Sequence, residues 1–225
     1  MTILGQNEHR EMQSPTAFRR SVSPPLGGTE VREFMSPRPK EFAVGPSFSL
    51  KNRLARLLWS TVYLCLFRPS PRPLHAWRAF LLRCFGARLG QHCHVYPCAK
   101  IWAPWNLTMD DYACLADDVQ CYSMAPIFLG KKAVVSQGSF LCTGSHDYES
   151  PDFQVFARPI RVEAQAWVCA ESFVLPGITI GEGAVVGARS VVTRDLPPWM
   201  ICAGNPCRPL KPRPFKHFPA PPDPR

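Results

Sequence analysis

Residues 162–192 read Val-Glu-Ala-Gln-Ala-Trp, Val-Cys-Ala-Glu-Ser-Phe, Val-Leu-Pro-Gly-Ile-Thr, Ile-Gly-Glu-Gly-Ala-Val, Val-Gly-Ala-Arg-Ser-Val, Val. An aliphatic residue opens each six: Val162, Val168, Val174, Ile180, Val186 and Val192. Four places on stands a small residue, Ala166, Ser172, Ala184 or Ser190, with Ile178 as the exception. A period of six marks a parallel β-helix built from hexapeptide repeats. Three short strands close one triangular coil of about 18 residues. The aliphatic residue points into the prism, the small one fits where the wall turns, and coils stack at strand spacing, about 4.8 Å. An amphipathic helix would need apolar residues at i, i+3, i+4 and i+7, a pattern this stretch lacks.

The same phase runs back through Leu129, Val135 and Leu141, then Met109, Leu115 and Cys121, then Leu89, Val95 and Ile101. The register slips by two residues at 107–108 and again at 127–128, as short corner insertions would make it. The fold expected is therefore mainly β: a single-stranded parallel β-helix of about five coils over residues 89–211, broken by a loop at 147–161. Residues 1–46 are polar and rich in Pro, Ser and Arg, the composition of a disordered segment. Residues 212–225 form a proline-rich tail in which no regular helix can run.

Residues 47–88 are expected to form a helical cap, because the open end of a solenoid needs covering. In 50–67, Lys51, Arg53 and Arg56 precede a dense apolar run ending at Phe67, too short to cross a bilayer, which takes about 20 apolar residues. Two readings fit it. One is a helix packed on the prism or on a neighbouring subunit. The other is a membrane-surface helix with its cations at headgroups and Trp59 and Tyr63 at the interface. After Pro69, Pro71 and Pro73, a second helix places Leu74, Trp77, Leu81, Cys84 and Phe85 on one face and stops at Gly86.

The net charge of +9 divides unevenly. Residues 101–197 hold six basic and eleven acidic side chains, whereas 42–100 hold nine basic and none acidic. After Asp195 come five basic residues against Asp223. Basic flanks around an acidic prism suit anionic small molecules or a membrane surface, and no aromatic residues interleave with the cations as in an RNA module, so no nucleic-acid partner is expected. Ten cysteines are scattered through repeat positions with no C-x-x-C pair, and the N-terminus shows no secretory signal. That usage suits a reducing cytoplasm, with the inner face of the membrane as the place a surface helix would touch.

The break in the repeat, Leu141-Cys-Thr-Gly-Ser-His-Asp-Tyr-Glu through Ile160, is where chemistry is expected, since loops on rigid scaffolds carry function. His146 is expected at the last strand position before the chain leaves the prism, with Asp147 and Glu149 beside it to orient the imidazole. Such a histidine can take a proton from an attacking hydroxyl, or it can be a plain surface histidine of a loop.

The repeats, the segment Thr143-Gly-Ser-His-Asp147 and the terminal Ala203-Gly-Asn-Pro206 resemble the hexapeptide acyltransferase superfamily. More narrowly, the chain is similar to the acetyltransferases of colanic acid and exopolysaccharide biosynthesis over about Pro46 to Lys211, with further matches at Ala103-Pro-Trp-Asn-Leu-Thr108 and Ser136-Gln-Gly138. The resemblance implies a left-handed β-helix, a homotrimer, and acetyl-CoA as co-substrate in a groove between prisms, with no metal. It makes His146, with Asp147, the catalytic pair. By register it places donor contacts at Trp167, Ala170, Ala188, Thr193, Arg208 and Lys211, and acceptor-sugar contacts at Asn106, Asp110 and Asp111. Arg208 and Lys211 could neutralise CoA phosphates. Ala170 and Ala188 lie one coil apart and would leave room for the pantetheine arm, while Trp167 could pack on the cofactor or merely on the prism. The implied activity is acetyl transfer to a sugar hydroxyl. Met109 and Cys121 are weak repeat residues, and Cys207 stands where the family usually has another small residue.

Two other functions suit the fold. A γ-type carbonic anhydrase needs three zinc-binding histidines, but after His146 the next is His217, and His92 and His94 are expected on one solvated side of a strand. A non-catalytic scaffold would keep the prism and lose CoA binding.

Overall fold

The computed structural model describes residues 49–150 and 153–214, so the expectations for residues 1–46 and for the tail from 215 lie outside the described residues. The prism has three parallel faces. The first face holds β1 (Arg88–Leu89), β4 (Leu107–Met109), β7 (Ile127–Leu129), β12 (Ile160–Val162) and β15 (Thr179–Ile180). The second holds β2 (His94–Val95), β5 (Cys114–Leu115), β8 (Val134–Val135), β13 (Trp167–Val168), β16 (Val185–Val186) and β18 (Met200–Gly204). The third holds β3 (Lys100–Ile101), β6 (Gln120–Tyr122), β9 (Phe140–Cys142), β14 (Phe173–Val174) and β17 (Val191–Val192). Five coils are complete, and the bridge from Leu196 to Ile180 together with β18 begins a sixth.

The six-residue phase predicts the interior. Val95, Leu115, Val135, Val168, Val186 and Cys202 form one stacked column with no exposed surface. The weak repeat residues Met109 and Cys121 fill equivalent places, and Cys207 is buried too. Thiols packed in this way behave as small hydrophobes. Burial pushes the Cys121 pKa up to about 12 and that of Cys202 to about 11. The edge between the first and second faces turns through residues held left-handed, His92, Tyr112, Lys132, Gln165, Gly183 and Trp199. His92 belongs to that edge and stacks on Tyr112, whereas His94 lies on β2 and stacks on His75. The two histidines therefore do not share one side of a strand.

Successive coils exchange hydrogen bonds in both directions, the Tyr112 N–H of the second coil donating back to Gln91 O of the first. Gly90, His94, Tyr96, Lys100 and Trp102 of the first coil donate their N–H groups to Met109, Ala113, Leu115, Val119 and Cys121 of the second. Val95 and Ile101, which alternate with these residues, point their main chain the other way and leave carbonyl oxygens at the open end, and buried acceptors need donors. The cap supplies them. Its first helix, α1 (Leu50–Val62), starts at Ser49, whose side chain accepts from the N–H of Asn52, and runs into a π-turn at Tyr63–Phe67. The second, α2 (His75–Cys84), ends at Gly86 with φ +86°. Trp59 Nε1 donates to Ile101 O at 2.7 Å, Arg78 Nε to Val95 O at 2.6 Å, and Arg83 Nη2 to Gly90 O at 2.8 Å. Each face of the first coil is thus closed by a side chain that can only donate.

This arrangement corrects the expected faces of both helices. On α2 the buried residues are Arg78, Ala79, Leu81 and Leu82, while Leu74, Trp77 and Cys84 are exposed. The apolar periodicity missed Arg78 because an arginine can be interred where carbonyls surround it; here Pro71 O and Ser70 Oγ accept as well. Trp59 on α1 turns to the prism and the Tyr63 hydroxyl of the π-turn is buried, neither lying at an interface, whereas Leu50, Leu54, Leu57 and Leu58 remain exposed. No helix among the described residues is long and apolar enough to cross a membrane.

Replacing Arg78 by Met keeps the volume and removes the donors. Unsatisfied buried acceptors cost about 1–3 kcal/mol each, so urea unfolding should show a loss of at least about 3 kcal/mol. A loss well under about 1 kcal/mol would mean the carbonyl edge does not need its cap.

Candidate functional site

Insertions gather at one edge of the prism, between the third and first faces. The first two coils take short ones, a 3-10 turn at Pro104–Asn106 and a bend at residues 123–126. The third coil takes a long one. Thr143 is buried, its Oγ1 donating to Tyr122 O and accepting from the Ala125 N–H, and beyond it the chain leaves the stack. It forms an antiparallel hairpin of β10 (Gly144–His146) and β11 (Val155–Ala157), then rejoins the first face at Ile160. Gly144 lies so close to the ring of Tyr122 and the sulfur of Met124 that an added Cβ would stand 2.4 Å from that sulfur.

His146 is therefore not on the prism wall. It projects on β10, paired with Val155 and exposed. The expectation of a last wall position fails because the hairpin begins two residues earlier, at Gly144. The orienting group also differs from the expected carboxylate. His146 Nδ1 lies 3.1 Å from Phe153 O, and the ring stacks on that of Phe153 with centroids 4.5 Å apart and planes 14° apart. A carbonyl can only accept, so Nδ1 carries the proton and Nε2 keeps its lone pair. Asp147 Oδ1 instead accepts from the N–H of Glu149, which shapes the turn. An imidazole with a fixed tautomer and an exposed Nε2 can remove a proton. No sequence signal could have found Phe153, whose contribution to the tautomer is a backbone oxygen.

The residues matched to donor contacts lie elsewhere. Ala170 and Ala188 stack on the edge between the second and third faces, where the Arg189 N–H donates to Ala170 O at 2.9 Å. Arg189 and Glu171 form an exposed ion pair beside them. Trp167 stands on the second face, 45% exposed, with Nε1 donating to Ser136 Oγ at 2.9 Å. Thr193 follows β17 at the end of the third face. The second face is extended by β19 (Cys207–Pro212), antiparallel to β18, and this hairpin presents Arg208 and Lys211 opposite Ala203 and Ile201. In one chain the third face thus separates the edge bearing His146 from the edge bearing Ala170 and Ala188.

The three residues matched to acceptor contacts are not brought together either. Asn106 shares the edge of the hairpin, but its amide nitrogen is spent on Ser123 O and Met124 O. Asp110 and Asp111 lie on a different edge, between the first and second faces, and Asp111 Oδ1 accepts from the Gln91 N–H at 2.8 Å. Both positions read as polar contacts in sequence because corner residues carry polar groups that bind backbone.

No family model matches the chain. It is 46% identical over 165 residues to "Putative colanic acid biosynthesis acetyltransferase WcaF" of Escherichia coli K12, which covers 73% of this chain and 91% of that protein. It is 36% identical over 115 residues to "Putative acetyltransferase C18B11.09c" of Schizosaccharomyces pombe, half of each chain. Among solved structures, the hexapeptide-repeat containing acetyltransferase VCA0836 of Vibrio cholerae has a TM-score of 0.68 at 26% identity, covering 74% of this chain and 95% of that one. The complex of that Vibrio cholerae protein with acetyl-CoA gives 0.66. The stacked parallel coils, the hairpin at the third of them and the extended match to the colanic acid relative together make this chain a member of the hexapeptide-repeat acetyltransferase family.

Proposed function

We propose that the chain transfers an acetyl group from acetyl-CoA to a hydroxyl of a sugar or exopolysaccharide precursor, with His146 as general base. The observation that carries this reading is the exposed imidazole whose Nδ1 is held by Phe153 O, which leaves Nε2 for proton transfer. The acceptor oxygen attacks the thioester carbonyl as Nε2 takes its proton. The C–S bond then breaks, and the CoA sulfur leaves with the proton that Nε2 gives back. Arg208 and Lys211 suit the nucleotide phosphates, and the stacked Ala170 and Ala188 leave a shallow track for the pantetheine arm. The separation of the two edges by the third face supports a homotrimer, in which His146 of one copy meets the donor edge of the next. Asp147 shapes the hairpin turn in this reading rather than holding the imidazole.

The reading places the enzyme in the cytoplasm, in peripheral contact with the inner face of the membrane. Leu54 and Leu57 are each 65% exposed on α1, and exposed Lys51 and Arg53 lie between the exposed Leu50 and Leu54. Leucines interleaved with cations suit an anionic bilayer surface.

His146→Ala should lower turnover by about 10²- to 10⁴-fold with acetyl-CoA affinity and oligomeric state unchanged. Phe153→Ala keeps the carbonyl and loses the stacked ring, so it should cost only about tenfold. Steady-state kinetics on both variants reads this, and native turnover in His146→Ala would remove the base. Separately, flotation with phosphatidylglycerol vesicles should lift the native chain and leave a Leu54→Ser, Leu57→Ser variant behind. A native chain that stays at the bottom would return α1 to packing alone.

A further inference from the structure

Between α1 and the outer side of the third face lies a cavity of about 410 Å³. That volume falls in the range of small-molecule sites, about 300–1,000 Å³. Its floor is aromatic. Trp102, Tyr122 and Phe140 project outward from successive coils, and ring contacts link each to the next. Arg56 and Lys100 stand in its wall, with the Arg56 guanidinium 4.4 Å above the Trp102 ring. The Tyr63 hydroxyl, also in the wall, is buried with no hydrogen-bond partner. Burial raises the Tyr63 pKa, so the phenol stays a donor.

Two residues give the cavity its bearings. Leu64 lines it and is 60% exposed, and Leu57 and Leu66 of the same cap are exposed as well. Tyr122 lines it too, and its ring meets the close approach of Gly144, the first residue of the hairpin that carries His146. The cavity therefore runs from the leucine surface of the cap to the foot of the catalytic arm. Packing inside the prism does not require such a space, since the prism interior is filled by its own columns.

We propose that this cavity seats the apolar chain of a phosphate-bearing lipid, the anchor of a lipid-linked sugar acceptor. The chain lies on the aromatic floor, the phosphate meets Lys100 and Arg56, and the sugar extends past Tyr122 toward His146. Charge complementarity favours an anionic lipid over a neutral one, because among the described residues that line the cavity the ionised side chains are both cations. The role assigned to the bound lipid rests on the acetyl-transfer reading. The binding itself does not.

The test is calorimetry on the full chain with farnesyl phosphate, without acetyl-CoA or turnover. Parallel titrations use farnesol, inorganic phosphate and a uridine diphosphate sugar. The variants are Ser60→Trp, which places an indole in the cavity from an exposed helix position, and Lys100→Glu, which reverses a charge on an exposed strand residue. Farnesyl phosphate should bind, farnesol about tenfold more weakly, and inorganic phosphate not measurably. Ser60→Trp should abolish the binding and Lys100→Glu should weaken it about tenfold. Melting curves of both variants check their fold, and a misfolded Ser60→Trp leaves the decision with Lys100→Glu. The proposal falls if farnesyl phosphate does not bind the native chain, if folded variants bind it as well as the native chain does, or if the uridine diphosphate sugar binds in its place and is blocked by Ser60→Trp. Farnesyl phosphate binding in a chain that does not bind acetyl-CoA would overturn the acetyl-transfer reading and leave the lipid site standing.

Discussion

The first coil of this prism has no coil before it, so main-chain groups that pair across the rest of the stack are left at its rim, and covering them organises the molecule. The carbonyls of Leu89, Gly90, Val95 and Ile101 stand at that rim and set part of what its cover must be made of. Trp59, Arg78 and Arg83 reach one face each. A carboxylate there would add acceptors to acceptors, and residues 42–100 contain none. Part of the basic charge that looks like a ligand signal in the sequence is therefore the chemistry of an edge. The other end is covered differently, by the hairpin of β18 and β19, which continues the second face and turns back on itself.

The prism was legible because its signal is repetitive and each interior place tolerates only a narrow range of shapes. Met109 and Cys121 break the aliphatic pattern yet fit the column, since volume and polarity decide the fit rather than branching. The π-turn at Tyr63–Phe67 and the burial of Arg78 were not legible. Both depend on carbonyls and ring contacts supplied by residues distant in sequence. The exposed leucines of α1 resolve part of an ambiguity that periodicity left open: the helix packs on the prism through Trp59 and offers its other side outward.

That the repeat breaks around His146 was legible, and the contacts of the imidazole were not. A histidine in the segment that breaks the repeat is a local signal. The group that fixes its tautomer is seven residues on and acts through its main chain. Asn106 and Asp111 turned out to serve backbone at corners, where a polar side chain has ready partners. Of the positions matched to the donor, Ala170 and Ala188 stack on a different edge from His146, whereas Trp167, Arg208 and Lys211 lie on the second face.

Acetyl transfer requires the donor edge to hold its nucleotide, whatever the acceptor. Calorimetric titration of acetyl-CoA into the native chain and into an Arg208→Ala, Lys211→Ala variant addresses that requirement without any acceptor. Binding to the native chain, weakened about tenfold or more when both cations on β19 are removed, is the predicted result. A well-folded native chain that takes up no acetyl-CoA would contradict the account and make the prism a scaffold.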